Sequence, residues 1–533
     1  MLFLAFAKLQ RYCVYREPLD VKPCKVNAFN DNIGVILDVD LELNSTGWMT
    51  FKSNSNPELP ARYQSYYVGY AEGKLFQHHI WNHHMNVKDW FLHSYLPFPD
   101  FPEELNTFFR QNLAWTRSNI GKFARDRFWK EVGNTMYHFD GMVLGYQQAC
   151  SKAEYMSELD LYIYVSSGDL LDVVEFALPT MRPNWKNMTQ EMKETWAQMR
   201  DHCSGLVRVS NDTIYLSQTA WFFYGSMTRV WKEYEFNYSS SAASKISFSS
   251  YPGFSYSFDD FYATDSGIMF FETTNNIYNT DLYNLCSPKS VLTWIRSQVA
   301  GRAAKTAPDF IQLIRRFNSG TYNNQWVVVD LNKFKEKAEK DVMWVLEQVP
   351  GRTAAYDGTE QLLKDGYFGS FNIPSLKNVR KVSGYEPMAE ADPSDDYDAT
   401  PRNLIFQRDA PKVDSLEKMQ HLMRYNDYLH DALSLDMQGN PEPGFAISSR
   451  YDQRPGDRAK CFGGFDNKIG MFNRRTGEYL ALIVSSPTNQ TESAPLWAFK
   501  GDMYCPRRGL PDGPYNYPSI TVPLELKLRK QPE

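Results

Sequence analysis

Nine histidines and seven cysteines carry the widest chemical repertoire in this 533-residue sequence, so their spacing is weighed first. Four of the histidines crowd into His78-His79-Ile80-Trp81-Asn82-His83-His84. His79 and His83 stand at the i, i+4 spacing that puts two imidazoles on one helix face, as a zinc pair requires. No Glu follows the first His as in HExxH, and no third ligand stands at a related spacing. A polar helix surface is therefore the expectation, and no metal site. GxxxxGK[ST], a strand-linked GxGxxG and GxSxG are all absent, so no cofactor is expected either.

The cysteine in His202-Cys203-Ser204-Gly205-Leu206 is different, because it stands where a polar stretch gives way to a β-hairpin pattern. A buried or disulfide-bonded thiol is its ordinary reading. A second reading rests on one particular chemistry. A backbone cut before Cys203 would give the thiol its own α-amine as a neighbour. That amine titrates at about 7.7–8, close to a free thiol at about 8.5, and can serve as the thiol's base. The same thiol can make the cut by attacking the carbonyl of His202 and passing through a thioester. The residue types alone leave both readings open.

Whatever these residues do, the rest of the chain must position them. Hydrophobic residues make up 43% and charged residues 23%, a globular balance rather than a disordered one. The formal charge of −6 excludes the basic field of a nucleic-acid binder. With 34 Phe, 33 Tyr and 13 Trp there is ring area enough to fill a large core. No run approaches the ~18 apolar residues of a membrane-crossing helix, so no transmembrane segment is expected. The start, MLFLAFAKLQRYC, reads as a truncated signal peptide or a beginning inside one, over residues 1–10. Five sequons, at Asn44, Asn187, Asn211, Asn237 and Asn489, favour a secreted or lysosomal glycoprotein. In such a compartment Cys13/Cys24 and Cys461/Cys505 are candidate disulfides, and the odd cysteine count leaves at least one thiol unpaired.

Residues 33–51 alternate and predict strands with a turn at Asn44-Ser45. Apolar residues at a spacing of three to four predict helices from Glu72 to Cys150, broken by Pro97, Pro99 and Pro102. Leu159–Val165 reads as a strand, followed by a helix entry at Ser167-Gly168-Asp169. Residues 179–202 read as an exposed polar linker or surface helix and mark the first boundary. Beyond them Cys203–Val209 and Thr213–Ser217 predict a hairpin around Ser210-Asn211-Asp212. Phe222–Glu235 carries Met227, Val230 and Trp231 at helical spacing. Further strands are expected at Lys245–Ser250, Gly267–Glu272, Gln325–Leu331 and Met343–Val349, with a helix at Val291–Val299. Residues 386–401 read as an acidic, Pro-rich solvated loop. This order is α+β, with several antiparallel strands and helices packed on them.

Several blocks resemble the phospholipase B-like family. HCSGLVRV is followed in family order by ISFSSYPGF, SFDDFY, SGIMFFETT, RRFNSGTYNNQWVVVDL, MWVLEQVPG, GYFGSFNIPS, TPRNLIFQRD and MRYNDYLHDALSL, over about residues 203–430. Weaker similarity at TGW near Gly47 and SSGDLLD near Gly168 extends the match over most of the chain. The resemblance implies an N-terminal nucleophile hydrolase, a four-layer αββα sandwich of two stacked, mainly antiparallel sheets. In that fold internal cleavage frees the nucleophile at the start of a central strand. Here this implies Cys203 as nucleophile and a cut between His202 and Cys203, giving fragments 1–202 and 203–533 that together form one fold.

The same resemblance places the family's active-site Thr on Thr274, its Asn on Asn372, its Arg on Arg402 and its Trp on Trp221. One departure matters. Where family members carry a His just upstream of that Trp, this chain has Gln218. Gln can donate and accept hydrogen bonds but cannot hold a proton as imidazolium. Asn372 could aim its amide at a tetrahedral oxyanion, where loss of such a donor typically costs about 2.7–4 kcal/mol. Arg402 could stabilise a thiolate and keep the α-amine neutral. Thr274 could orient the nucleophile, and Trp221 and Gln218 could meet the substrate. The ordinary readings are a turn cap for Asn372 and a surface ion pair for Arg402. The activity expected is removal of acyl groups from lipid esters or acyl amides through a Cys thioester, without metal or cofactor, with a homodimer as a further possibility. The rival expectation is a non-catalytic secreted glycoprotein of the same fold that binds lipid or a protein partner, and Gln218 is the residue that supports it.

Overall fold

The computed structural model describes residues 9–96, 98–185, 187–189, 192–193, 196, 203–499, 501 and 503–527. Side chains alternate between the two faces of a strand, and here both faces are apolar. Along the strand Ile268–Thr274, Ile268 and Phe270 join one hydrophobic cluster while Met269 and Phe271 join another. The strand Asn324–Asp330 divides in the same way, with Trp326 and Val328 on one side and Val327 and Val329 on the other. In a second sheet the strand Tyr479–Val484 sends Ala481 and Ile483 into the cluster of Met269 and Phe271, and Leu480 and Leu482 into a third. The shared cluster is the seam where the two sheets stack.

Helices cover the outer faces. Thr293–Ala303 and Ala307–Ile314 bury their apolar sides against the first sheet, and Pro401–Asp409 and Leu416–Met423 bury theirs against the second. The layers run helix, sheet, sheet, helix, the αββα sandwich that the resemblance implies. Among the described residues the large sheet has eleven strands, antiparallel throughout except where Met49–Ser55 pairs in parallel with Val230–Glu235. Strands from residues 10–55 lie on one side of that pair and strands from residues 230–357 on the other. In the smaller sheet Cys203–Ser210 lies between Tyr367–Ser370 and Thr213–Phe223. The sheets approach closely at Gly205, where a Cβ would stand 2.1 Å from the Phe271 ring, so only glycine allows the approach.

The predicted helical region becomes Ala61–Leu75, Gln77–Ser94, Glu103–Lys122 and Arg127–Ala149. The first and last of these touch backbone to backbone. A Cβ on Gly69 would lie 1.9 Å from the His138 carbonyl oxygen, and one on Gly141 2.0 Å from that of Tyr66. The hairpin at residues 203–223, the strands near 245, 268, 324 and 343, and the helix near 293 all form as expected. Both expected disulfides, Cys13–Cys24 and Cys461–Cys505, are present, and Cys150, Cys203 and Cys286 are thiols.

Three expectations are corrected. Leu159–Val165 is not a strand but most of the helix Glu158–Val165, opened by a capping box in which Ser157 and Asp160 satisfy each other's backbone N–H groups. Leu161–Val165 are all buried, and a run buried on every side shows no period from which to tell helix from strand. Val230–Glu235 is a central strand rather than a helix, its register locked between Met49–Ser55 and Lys245–Ser250. Residues 386–401 are not a plain loop. They hold most of the helix Tyr385–Ala391 and the turn Pro393–Asp395, and Pro401 opens the helix Pro401–Asp409 at the position proline favours. Much of the expected linker at 179–202, and residues 1–8, lie outside the described residues.

Candidate active site

Cys203 is the first residue of its strand and is 2% exposed. Its antiparallel partner is Ala220, and Gly205 pairs with Gln218, so Gln218 is the diagonal neighbour of Cys203 on the same sheet face. Gln218 Nε2 donates to Cys203 Sγ at 2.8 Å and to the Asp259 carbonyl at 2.5 Å. On the next strand Lys468 pairs with Gln218 and donates to its Oε1. Lys468 also donates to Asp259 Oδ2 at 2.6 Å and Asp466 Oδ1 at 2.8 Å. Arg229 closes the cluster, donating to Asp259 Oδ2 at 2.7 Å and Asp466 Oδ2 at 2.8 Å, its guanidinium 4.3 Å from the Tyr251 ring.

Burial pushes the Cys203 thiol well up, with the carboxyl of Glu272 adding to the effect and Lys468 opposing it. The Gln218 N–H on sulfur works in the thiolate's favour. Burial also disfavours the charge of Asp259, but Arg229 and Lys468 overcome it and hold that carboxyl below the usual range. Among the described residues no cation pairs with Glu272. Burial raises it to about 8, against hydrogen bonds from Tyr322 OH at 3.1 Å and Thr274 Oγ1 at 3.3 Å.

On the opposite side of Cys203, Arg402 Nη1 donates to the Cys203 carbonyl at 2.8 Å and to Asn372 Oδ1 at 2.6 Å. The guanidinium stands 4.4 Å over the Trp221 ring, and the residue is buried, so Arg402 is a buried bridge and not the surface residue of its ordinary reading. Asn372 does not cap its own turn. Its Nδ2 reaches the Thr274 carbonyl at 2.6 Å, while its backbone takes the left-handed φ of 68° that Asn tolerates. Trp221 is fixed by its Nε1 donating to the Ile447 carbonyl at 3.2 Å. Cys203, Gln218, Trp221, Thr274, Asn372 and Arg402 are therefore one connected group. His202, the other side of the expected cut, lies outside the described residues.

The thiol, Trp221 and Thr274 face a narrow cavity, with about 30 Å³ open to the centres of water-sized spheres, whose walls include Phe222, Phe258 and Phe465. Trp221 and Arg402 also form one wall of a second, more polar hollow of about 460 Å³. Sequence reasoning did not find Arg229, Asp259, Asp466, Lys468, Glu272 or Tyr322. No local signal marked them: in Phe465-Asp466-Asn467-Lys468-Ile469 three of the five residues are polar, so the segment reads as surface until the fold pairs its charges.

The histidine cluster is corrected as well. His83 and His84 face inward from the helix Gln77–Ser94 and are buried. The His83 Nδ1 lies 3.0 Å from Tyr164 OH, and its ring stacks on Tyr251. Burial lowers His83 to about 3 and His79 and His84 to about 4, so these rings are neutral. Among the described residues no three His, Cys, Asp or Glu side chains gather as a metal cluster would, and no helix is long and apolar enough to cross a membrane. The sequon asparagines Asn44, Asn187, Asn211 and Asn237 are exposed, and Asn489 is half-buried.

Residues 38–522 match the family model described as Phospholipase B. A rat protein named Phospholipase B-like 1 is 32% identical over 513 residues, which is 93% of this chain and 86% of its own length. A Dictyostelium discoideum protein named Phospholipase B-like protein B is 34% identical over 472 residues, 86% of this chain and 80% of its own. The human Phospholipase B-like 1 is 31% identical over 472 residues, again 86% of this chain and 81% of its own.

Proposed function

The chain belongs to the phospholipase B family, and from that premise we propose that it is a hydrolase whose nucleophile is the thiol of Cys203, freed by a cut between His202 and Cys203. The observation that carries this reading is the bracket around Cys203. A Gln218 N–H meets its sulfur, and Arg402 ties its carbonyl to Asn372, beside an apolar cavity. Aromatic walls of that kind suit the acyl chain of a lipid ester or acyl amide.

In the uncut chain the thiol is held neutral by burial, a resting state. Cleavage supplies the missing base. The α-amine of Cys203 takes the thiol proton, sulfur attacks the acyl carbonyl, and the C–O or C–N bond breaks as the leaving group receives that proton. Water then hydrolyses the thioester, releasing the acid and restoring the thiol. Gln218 cannot carry the proton, which leaves the amine to do so. The permanent charge of Arg402 favours both the thiolate and the neutral amine. Thr274 and Asn372, hydrogen-bonded to each other, orient the group. Two disulfides and four exposed sequon asparagines support a secreted or lysosomal glycoprotein.

The test is a denaturing gel with N-terminal sequencing on protein secreted from eukaryotic cells, beside Cys203→Ala. By share of length the cut divides 61.8 kDa into about 23 and 38 kDa before glycans are added. Fragments of that size, the larger beginning Cys-Ser-Gly-Leu, are expected only with the thiol present. A Cys203→Ala protein that is cleaved and fully active would sink the mechanism. The non-catalytic alternative draws on the absence of an imidazole at Gln218. It predicts that a thiol-reactive acyl analogue fails to label Cys203 in the processed protein.

A further inference from the structure

The wall of the Cys203 cavity holds one amide that the protein leaves unused. Asn275 follows the strand Ile268–Thr274 and is 4% exposed. Its backbone N–H donates to the Asn323 carbonyl at 2.9 Å, which fixes the chain at that point. Its side chain has no such anchor, for neither Nδ2 nor Oδ1 meets a hydrogen-bond partner. Three polar side chains of the Cys203 group are, by contrast, engaged. Gln218 is on the thiol and Asp259, Asn372 spans Thr274 and Arg402, and the Thr274 hydroxyl is on Glu272.

A buried amide without a partner is costly, and native proteins seldom keep one unless a ligand or water completes it. Asn275 is also one residue along from the carbonyl that Asn372 holds, and Asn372 is joined through Arg402 to the Cys203 carbonyl. The unpaired amide therefore sits on the same connected frame as the nucleophile and on the wall of the same cavity.

We infer that Asn275 is a further residue of the substrate site, its Nδ2 donating to the carbonyl oxygen of the acyl group that Cys203 attacks. This rests on the reading of Cys203 as an acyl-accepting nucleophile. In the attack the sulfur–carbon bond forms, the carbonyl π pair moves onto oxygen, and the Asn275 N–H faces that growing charge. A donor already in place needs no reorganisation at that moment, and removal of one such donor typically slows the step about 10²–10³-fold. Asn275 offers both its N–H bonds, whereas Asn372 has one of its two committed to Thr274.

Processed wild type, Asn275→Ala, Asn275→Asp and Cys203→Ala are compared with a chromogenic p-nitrophenyl fatty-acyl ester. Acyl transfer to the fragment beginning at Cys203 is read by intact mass, and alkylation of the same thiol by iodoacetamide is measured separately. Asn275→Ala should acylate about 100-fold more slowly. Its alkylation should stay within about threefold and its melting temperature be unchanged or higher, because no bond is lost. Asn275→Asp keeps the shape but presents an acceptor. Its loss should be at least as large at neutral pH and recover in acid, where the protonated carboxyl donates again. A purely structural asparagine would show a lowered melting temperature and no such pH recovery. Acylation of Asn275→Ala within about threefold of wild type, with wild type acylated, overturns the assignment alone. A wild-type Cys203 that takes no acyl group removes it together with the reading beneath it.

Discussion

Replacing Lys468 by Met tests whether the cluster behind Cys203 is held by charge balance. Two cations, Arg229 and Lys468, face two carboxylates, Asp259 and Asp466, with side chains between 0% and 4% exposed. Met replaces most of the volume and none of the charge, so one buried carboxylate loses its counter-ion. Breaking a buried pair in this way costs about 3–5 kcal/mol. The Gln218 bond goes with the two carboxylate bonds, which places the expectation in the upper half of that range. At about 2.1 cal/mol/K of unfolding entropy per residue, a single unit of this length carries about 1.1 kcal/mol/K, so the melting temperature falls by about 3–5 °C.

The pH dependence gives the sharper signature. In the wild type Asp259 is held below the usual carboxyl range, so its pairing contributes stability above its unfolded pKa of about 3.9, and that is lost as pH falls. In Lys468→Met the uncompensated carboxylate has a folded pKa above the unfolded one. Its stability is complete in acid and drains away as pH rises. The gap between the two proteins should therefore be wide at pH 7 and narrow at pH 4. Urea unfolding at both values, in the uncut Cys203→Ala background, measures it. A gap under about 1 kcal/mol at pH 7, or one equal at both pH values, would refute the charge-balance argument.

Arg402→Lys should cut acyl turnover about 10- to 100-fold with little change in melting, because an ammonium cannot reproduce the fixed guanidinium geometry over Trp221; steady-state kinetics beside a thermal melt checks this. Glu272→Gln should match the wild type near pH 4 and become the more stable protein toward pH 8. The native carboxyl, raised by burial to about 8, contributes fully only below its unfolded pKa of about 4.3 and loses stability as pH rises through 8; melts at three pH values decide it. Gly205→Ala should cost about 1–3 kcal/mol or more, since its Cβ would meet the Phe271 ring of the facing sheet; an unchanged urea midpoint would show that the sheets can part there.

The hairpin at residues 203–223 was legible because Asn211 and Asp212 are turn formers between two alternating runs, and the observed φ of 53° at Asn211 is what such a turn requires. Val230–Glu235 was not. Its interior Lys232 resembles a surface residue until the helix Ala61–Leu75 brings Glu72 to meet it from 160 residues away. The site divides along the same line. Cys203, Thr274, Asn372 and Arg402 could be picked out because they stand in long family-like blocks, and Trp221 because it follows the hairpin that the first block opens. Lys468 and Asp259, 209 residues apart, could not, since nothing local distinguishes a lysine inside a sandwich from one at its surface. Burial of His83 escaped for a related reason, because the tyrosines around it come from other elements.

The parallel pair formed by Met49–Ser55 and Val230–Glu235 joins strands from either side of residue 203 within one sheet. Both disulfides seen among the described residues lie within one side or the other, so neither ties the two together. A chain cut before Cys203 would thus consist of two polypeptides held by shared backbone hydrogen bonds, packing and side-chain pairs such as Lys232 with Glu72, with no disulfide between them among the described residues. Before the cut, refolding is a first-order process that does not depend on concentration. After it, refolding needs two chains to meet, and the recovery of heated protein should fall on dilution. Cleavage would make the fold a single-use event: assembled once as one chain, and lost on unfolding wherever the protein is scarce.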